Sequence, residues 1–145
     1  MKILLKACFA CIGPGGNLKG KNLQDRDSQY LAEVLDGIEI DGVRFTASWK
    51  PEALEIEMEG EELSEEIKPN YIERLFLPVP QILFRDPDAR FTANVLNKFL
   101  RRVNKALNQE PCNRGKMLPP NMVLVRDAEL LEWSLIFKTK RKGFN

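Results

Sequence analysis

Two short stretches near the N-terminus combine residue types and spacings that could do chemistry. Cys8 and Cys11 form a C-x-x-C pair in "KACFACI", and Gly15 to Asn22, "GGNLKGKN", matches G-x-x-x-x-G-K. The first spacing suits thiol–disulfide exchange or part of a zinc site; the second suits a loop whose backbone amides cradle phosphates. Neither pattern is complete. Asn22 stands where a nucleotide-binding loop carries the Ser or Thr that holds magnesium, and the next helical pattern opens near Asp25 rather than directly after Lys21. "VLVRD", Val123 to Asp127, is a feeble version of the hydrophobic strand and Asp that hold the metal in such enzymes. The reading is a lysine-bearing surface loop.

The cysteine pair fails on geometry. "ILLKACFACI" is rich in strand-compatible residues and ends at Gly13-Pro14-Gly15-Gly16, which predicts a first strand leaving into a loop. Positions three apart on a strand point to opposite faces, so Cys8 and Cys11 diverge and read as structural, buried thiols. Zinc takes four ligands, and Cys112 brings the thiols only to three in a chain without histidine. Lys6 interrupts the apolar N-terminus too early for the core of an export signal.

Composition narrows the remaining chemistry. The 145 residues fit a single domain, 1–145, with 43% hydrophobic and 30% charged residues in the ordinary globular range. Lys and Arg number 22 against 21 acidic residues, so no global field draws the chain onto nucleic acid or an anionic membrane. The absence of histidine removes Ser-His and Cys-His nucleophile pairs, imidazole acid–base catalysis and His-ligated metals. Three cysteines, an odd number, point to free thiols in a reducing, cytoplasmic setting. The expectation is no catalytic residue, no metal and no cofactor.

The elements that must position any site follow from periodicity. "DRDSQYLAEVLDG" starts on Asp25, repeats apolar Tyr30, Leu31, Val34 and Leu35, and closes at Gly37, which predicts a short amphipathic helix. "IEIDGVRFTASW" holds an Asp41-Gly42 turn between alternating segments, and "ALEIEMEG" places Glu55, Glu57 and Glu59 on one wet strand face. The apolar "LFLPVPQILF" should lie across the core. "DARFTANVLNKFLRRVNKALNQ" gives the long helix: Phe91, Val95, Leu96, Phe99, Val103, Ala106 and Leu107 face inward, opposite Asn94, Lys98, Arg101, Arg102 and Lys105. "NMVLVRD" predicts a strand, and "LEWSLIFKTK" a last strand or exposed edge. The sum is an α+β two-layer sandwich, with two main helices on a mixed, mostly antiparallel sheet of about five strands.

With this order of elements, the span from Lys6 to Ala128 resembles the inserted, substrate-capping domain of the archaeal-type cofactor-independent phosphoglycerate mutases, in the alkaline-phosphatase-like superfamily. "CNRGKMLPPNMVLVRDA", Cys112 to Ala128, is similar to that family's Asn-Arg, basic turn, Leu-Pro-Pro, Asn, aliphatic strand and Arg-Gly-Ala-Gly signature. "IEIDGVRF" and "EGEELSEEI" resemble its hairpin and following segment. "KACFAC" keeps the family's Phe and Ala at Phe9 and Ala10, with Lys6 at its arginine, Cys8 at its Asn and Cys11 at its Thr.

The resemblance implies Lys6, Arg26 and Arg126 as substrate-binding positions, and it also shows losses. The family's Asp-Arg-Arg-Ala-Gly-Arg motif, suited to gripping phosphoryl or carboxylate groups, appears as "DRDSQY", where Asp27 reverses one charge and Tyr30 removes another. Asp-Pro-His is matched at best by Lys68-Pro69-Asn70, and Asp127 replaces the glycine after Arg126. The metal-bearing catalytic domain has no counterpart in these residues, as expected of a stand-alone relative or a fragment. Two functions are implied: a non-catalytic cap-like domain binding a partner protein or a small phosphorylated or carboxylate ligand, or a substrate-binding subunit completing a separate metalloenzyme in trans.

Overall fold

In the computed structural model the described residues are 1–12, 18–21, 25–50, 53–69, 77–108, 121–126 and 132–138, with backbone alone for 9–12, 18–21, 25–28, 53, 69, 121 and 138. The strands are β1 (Lys2–Ile12), β2 (Leu18–Lys21), β3 (Ile38–Ile40), β4 (Val43–Lys50), β5 (Ala53–Glu59), β6 (Ile67–Pro69), β7 (Ile82–Phe84), β8 (Asn121–Arg126) and β9 (Trp133–Lys138). The helices are α1 (Asp25–Leu35) and α2 (Arg90–Leu107), the latter entered through a 3-10 turn at Pro87–Ala89. This is the expected α+β class with the expected two helices.

The main sheet runs β3-β4-β5-β1-β9-β8, with β2 hydrogen-bonded to β1, and β6 and β7 pair separately. Among the described residues the main sheet has seven strands against the expected five or so, and β6 and β7 form a pair apart; β2, β6 and β7 are only three or four residues long. Runs that short carry no periodicity. Two positions also differ from expectation. Leu18–Lys21 is a strand paired with Phe9–Ile12, not a surface loop. The last strand is no edge: β9 sits inside the sheet, parallel to β1 and antiparallel to β8. Its apolar "WSLIF" is what a strand buried on both faces requires.

Local chemistry explains the hairpin. Asp41 and Gly42 have φ of 51° and 84°, the paired left-handed conformations of a two-residue turn whose twist matches its strands. Lys98 on α2 reaches Asp41 at 2.7 Å and ties turn to helix. β4 then alternates buried Val43, Phe45 and Ala47 with exposed Arg44, Thr46 and Ser48.

Residues paired across neighbouring strands share a face, so the register defines both sides of the sheet. One side carries Ile3, Leu5, Ala7, Phe45, Leu54, Ile56, Met58, Leu124, Trp133, Leu135 and Phe137, and it packs with Leu31 and Leu35 of α1 and Leu96, Phe99 and Val103 of α2. Phe45 and Phe99 stack at 3.9 Å between ring centroids, both fully buried. The basic side of α2, Lys98, Arg101, Arg102 and Lys105, is exposed as its periodicity predicts.

The "LFLPVPQILF" segment lies partly across the core as expected. Leu77 bridges to Met122, and Ile82 is buried. Asn97 of α2 clamps it by accepting from the Ile82 N–H at 3.1 Å and donating to the Ile82 carbonyl at 3.3 Å. Leu83 and Phe84 remain exposed, with the Arg90 guanidinium over the Phe84 ring.

Candidate functional site

The lysines of β1 and β4 each have a carboxylate partner. Lys2 meets Glu57 at 3.4 Å and Glu59 at 3.8 Å, Lys6 meets Glu132 at 3.2 Å, and Lys50 meets Glu55 at 2.7 Å. The Glu55 carboxylate, by hydrogen bond and charge, holds the Lys50 amine above its ordinary pKa. These pairs account for Glu55, Glu57 and Glu59 as a solvated ladder, and no cluster of metal-ligating side chains forms among the described residues.

Arg126 and the exposed Arg44 of β4 have no such partner among the described residues, and of the two only Arg126 is half-buried. It ends β8 half-buried, its guanidinium carbon 4.8 Å from the centre of the Trp133 ring, and no described carboxylate pairs with it. The stacking is worth about 0.5–2 kcal/mol, depending on desolvation. Register brings the two together, since Arg126 lies opposite Trp133 in the β8–β9 ladder. Trp133 is 3% exposed, and its Nε1 finds no acceptor among the described residues. An indole nitrogen only donates, and a buried donor left unmet costs about 1–3 kcal/mol. Asn104 Oδ1 on α2 is also unmet, but it is an acceptor on a half-buried flank.

The three sequence-derived binding positions do not assemble. One row across the sheet reads Ala47, Ile56, Leu5, Trp133, Arg126, and the next reads Ser48, Glu55, Lys6, Ser134, Val125. Adjacent residues on a strand alternate faces, so Arg126 emerges on the side that carries the helices and Lys6 on the other. Lys6 is also occupied by Glu132. Arg26 is the second residue of α1, and its side chain lies outside the described residues, as do Asp127, Asn70 and the side chains of Cys11 and Cys112. Cys8, half-buried on the Lys6 side, packs with Val123, Ile136 and Val125, as a structural thiol would.

Leu18–Lys21, which a phosphate-binding motif would hold as a curled loop, is a strand paired with β1, and the residues directly after Lys21 lie outside the described ones. Two open clefts have other characters. One of about 560 Å³ is walled by Asp41, Glu59, Glu61 and Glu62 together with Arg44 and the Met1 ammonium, an excess of acidic groups; one of about 530 Å³ lies between α1 and α2, with Arg102 and Lys105 at its rim. Trp133 is the site residue that sequence reasoning missed. Its only local signal is an aromatic with a polar tip at the start of an apolar run.

No protein-family model matches the chain. A 2,3-bisphosphoglycerate-independent phosphoglycerate mutase of Methanococcus aeolicus is 29% identical over 114 residues, covering 73% of this chain and 28% of that protein. Phosphoglycerate mutase 1 of the same type from Methanocaldococcus jannaschii is 34% identical over 113 residues, with the same coverage. The cofactor-independent phosphoglycerate mutase of Thermoplasma acidophilum shares the fold at a TM-score of 0.58 and 20% identity, over 79% of this chain and 32% of that one. The chain thus spans under a third of the length of these relatives. Among the described residues no helix is long and apolar enough to cross a membrane. The chain is a homologue of the archaeal cofactor-independent phosphoglycerate mutases, related to them through a segment of about 28% of their length.

Proposed function

We propose that the chain is a non-catalytic, cap-like domain that binds a small oxyanion at Arg126, having lost most of the charges with which a phosphoglycerate mutase cap would grip its substrate. The observation that carries this reading is the half-buried guanidinium without a described carboxylate, on a sheet whose β1 and β4 lysines are all paired. A half-buried charge gains from a counter-charge, and none of the described carboxylates supplies one, which supports an anion as the partner of Arg126. The kinship suggests the chemical class, a phosphorylated or carboxylated hydroxy acid. The 145 residues contain no histidine, so no nucleophile–imidazole pair can form, which supports the non-catalytic reading.

Completion of a phosphomutase or phosphatase in trans was motivated by Lys6, Arg26 and Arg126 converging on one phosphate. The opposite faces of Lys6 and Arg126 remove that support. Titration calorimetry with 3-phosphoglycerate and 2-phosphoglycerate tests the reading. The expected Kd is millimolar, about −4 kcal/mol, without turnover. Micromolar affinity for either compound contradicts the proposed loss of gripping charges, and heat indistinguishable from dilution contradicts anion binding.

A further inference from the structure

We propose that Trp133 and Arg126 form one oxyanion clamp, in which the indole N–H and the guanidinium donate to oxygens of the same carboxylate or phosphate monoester. This rests on the anion-binding reading above and adds a second donor, a role for Trp133 beyond packing.

Three observations converge on the pair. Trp133 is 3% exposed, yet its Nε1 has no acceptor among the described residues. An indole cannot turn this nitrogen into an acceptor, so only an oxygen or other lone pair brought to it can satisfy it. Next, the Arg126 guanidinium lies 4.8 Å over the same ring with no described carboxylate beside it. A guanidinium held on an aromatic face keeps its in-plane N–H groups for a planar or tetrahedral acceptor, while the ring fixes its direction. Finally, the two residues face each other in the β8–β9 register, so their backbones are held by ladder hydrogen bonds before any ligand arrives. A site preorganised in this way loses little side-chain entropy on binding.

The same geometry limits the ligand. Lys6 points to the other face and is tied to Glu132, so among the described residues this site has one cationic group and one neutral donor. That suits a single carboxylate or monoester and not a polyphosphate or a nucleic-acid backbone, which would need several cations.

The test is a two-dimensional ¹H–¹⁵N titration of the intact chain, which contains two tryptophans and hence two indole signals, assigned by a Trp133→Phe variant. Inorganic phosphate, glycerate and 3-phosphoglycerate are the three probes. The expected result is a saturable downfield movement of the Trp133 indole signal. Response to phosphate and 3-phosphoglycerate alone identifies a phosphoryl ligand; response to glycerate and 3-phosphoglycerate alone identifies a carboxylate. Trp133→Phe, which keeps a ring under Arg126 but deletes the donor, should weaken binding about tenfold, and Arg126→Gln by at least as much.

If backbone signals around Arg126 move while the Trp133 indole stays fixed, or Trp133→Phe binds like the parent, the clamp is wrong and anion binding at Arg126 stands. Movements gathered instead at Arg102 and Lys105 place the anion in the α1–α2 cleft and overturn the clamp. If no signal moves with any probe, the anion-binding reading itself fails.

Discussion

The two halves of the main sheet handle their charges differently. In the half built from β3, β4 and β5, one face is sealed by the helices through the Phe45–Phe99 stack, and the other is a wet ladder whose Glu55, Glu57 and Glu59 meet Lys50 and Lys2. In the half built from β9 and β8, both faces are apolar: Leu124, Leu135 and Phe137 on the helix side, Val123 and Ile136 on the other. There, at the edge of the core, stand a half-buried arginine without a described carboxylate and a buried indole N–H without a described acceptor. The first half keeps its charges where water and partners make them cheap. The second withdraws two donors from water without matching them, an arrangement that costs stability and is understandable as a site awaiting an acceptor.

The comparison breaks most visibly in the first half. Phe99→Ala should cost about 3–5 kcal/mol by denaturant unfolding, since it empties the centre of the α2–β4 contact. A loss under 1 kcal/mol would mean that this half is not the stabilising one. Thr92→Val comes next. Thr92 is fully buried and its Oγ accepts the Ser64 N–H at 2.7 Å, so the variant should lose about 1–2 kcal/mol by the same measurement.

Arg126→Met sharpens the contrast from the other half. Because the substitution removes a half-buried charge that lacks a described carboxylate, stability should change by no more than about 1 kcal/mol, while stabilisation by saturating phosphate in thermal melts disappears. A large destabilisation would make Arg126 a structural residue. The Lys2–Glu57 pair, both side chains well exposed, should show a coupling of at most about 1 kcal/mol in a double-mutant cycle, vanishing in molar salt.

The smallest effect is pH-dependent. The folded-state pKa of Lys50 is raised by Glu55, so the pair's contribution is fully present below the ordinary lysine pKa and fades as pH climbs through the raised value. Lys50→Gln should therefore match the parent's melting temperature at strongly alkaline pH and fall slightly below it at neutral pH.

Much of the fold was legible because its signals are local. The α2 periodicity, the Asp41-Gly42 turn and the alternation of β5 each specify an element within a dozen residues, and all three appear where expected. The interior position of β9 was not legible, because strand order is set by contacts far apart in sequence, Leu5 to Phe9 against Trp133 to Phe137. The site shows the same divide. Arg126 stood out through the likeness of its surroundings to a family motif, but its partner Trp133 became visible only through the β8–β9 register. Lys6, named with Arg126 by the same family likeness, is placed on the opposite face by that register read across β1.

The central claim is that this chain holds an oxyanion at Arg126 and performs no chemistry on it. A ³¹P NMR experiment with 3-phosphoglycerate, magnesium and stoichiometric protein tests both parts in one spectrum. If Arg126 holds the anion without chemistry, the 3-phosphoglycerate resonance is broadened by exchange and sharpened again by Arg126→Met, and no 2-phosphoglycerate peak grows in on prolonged incubation. A growing 2-phosphoglycerate peak, or a substrate line as sharp with the parent protein as without it, would contradict the account.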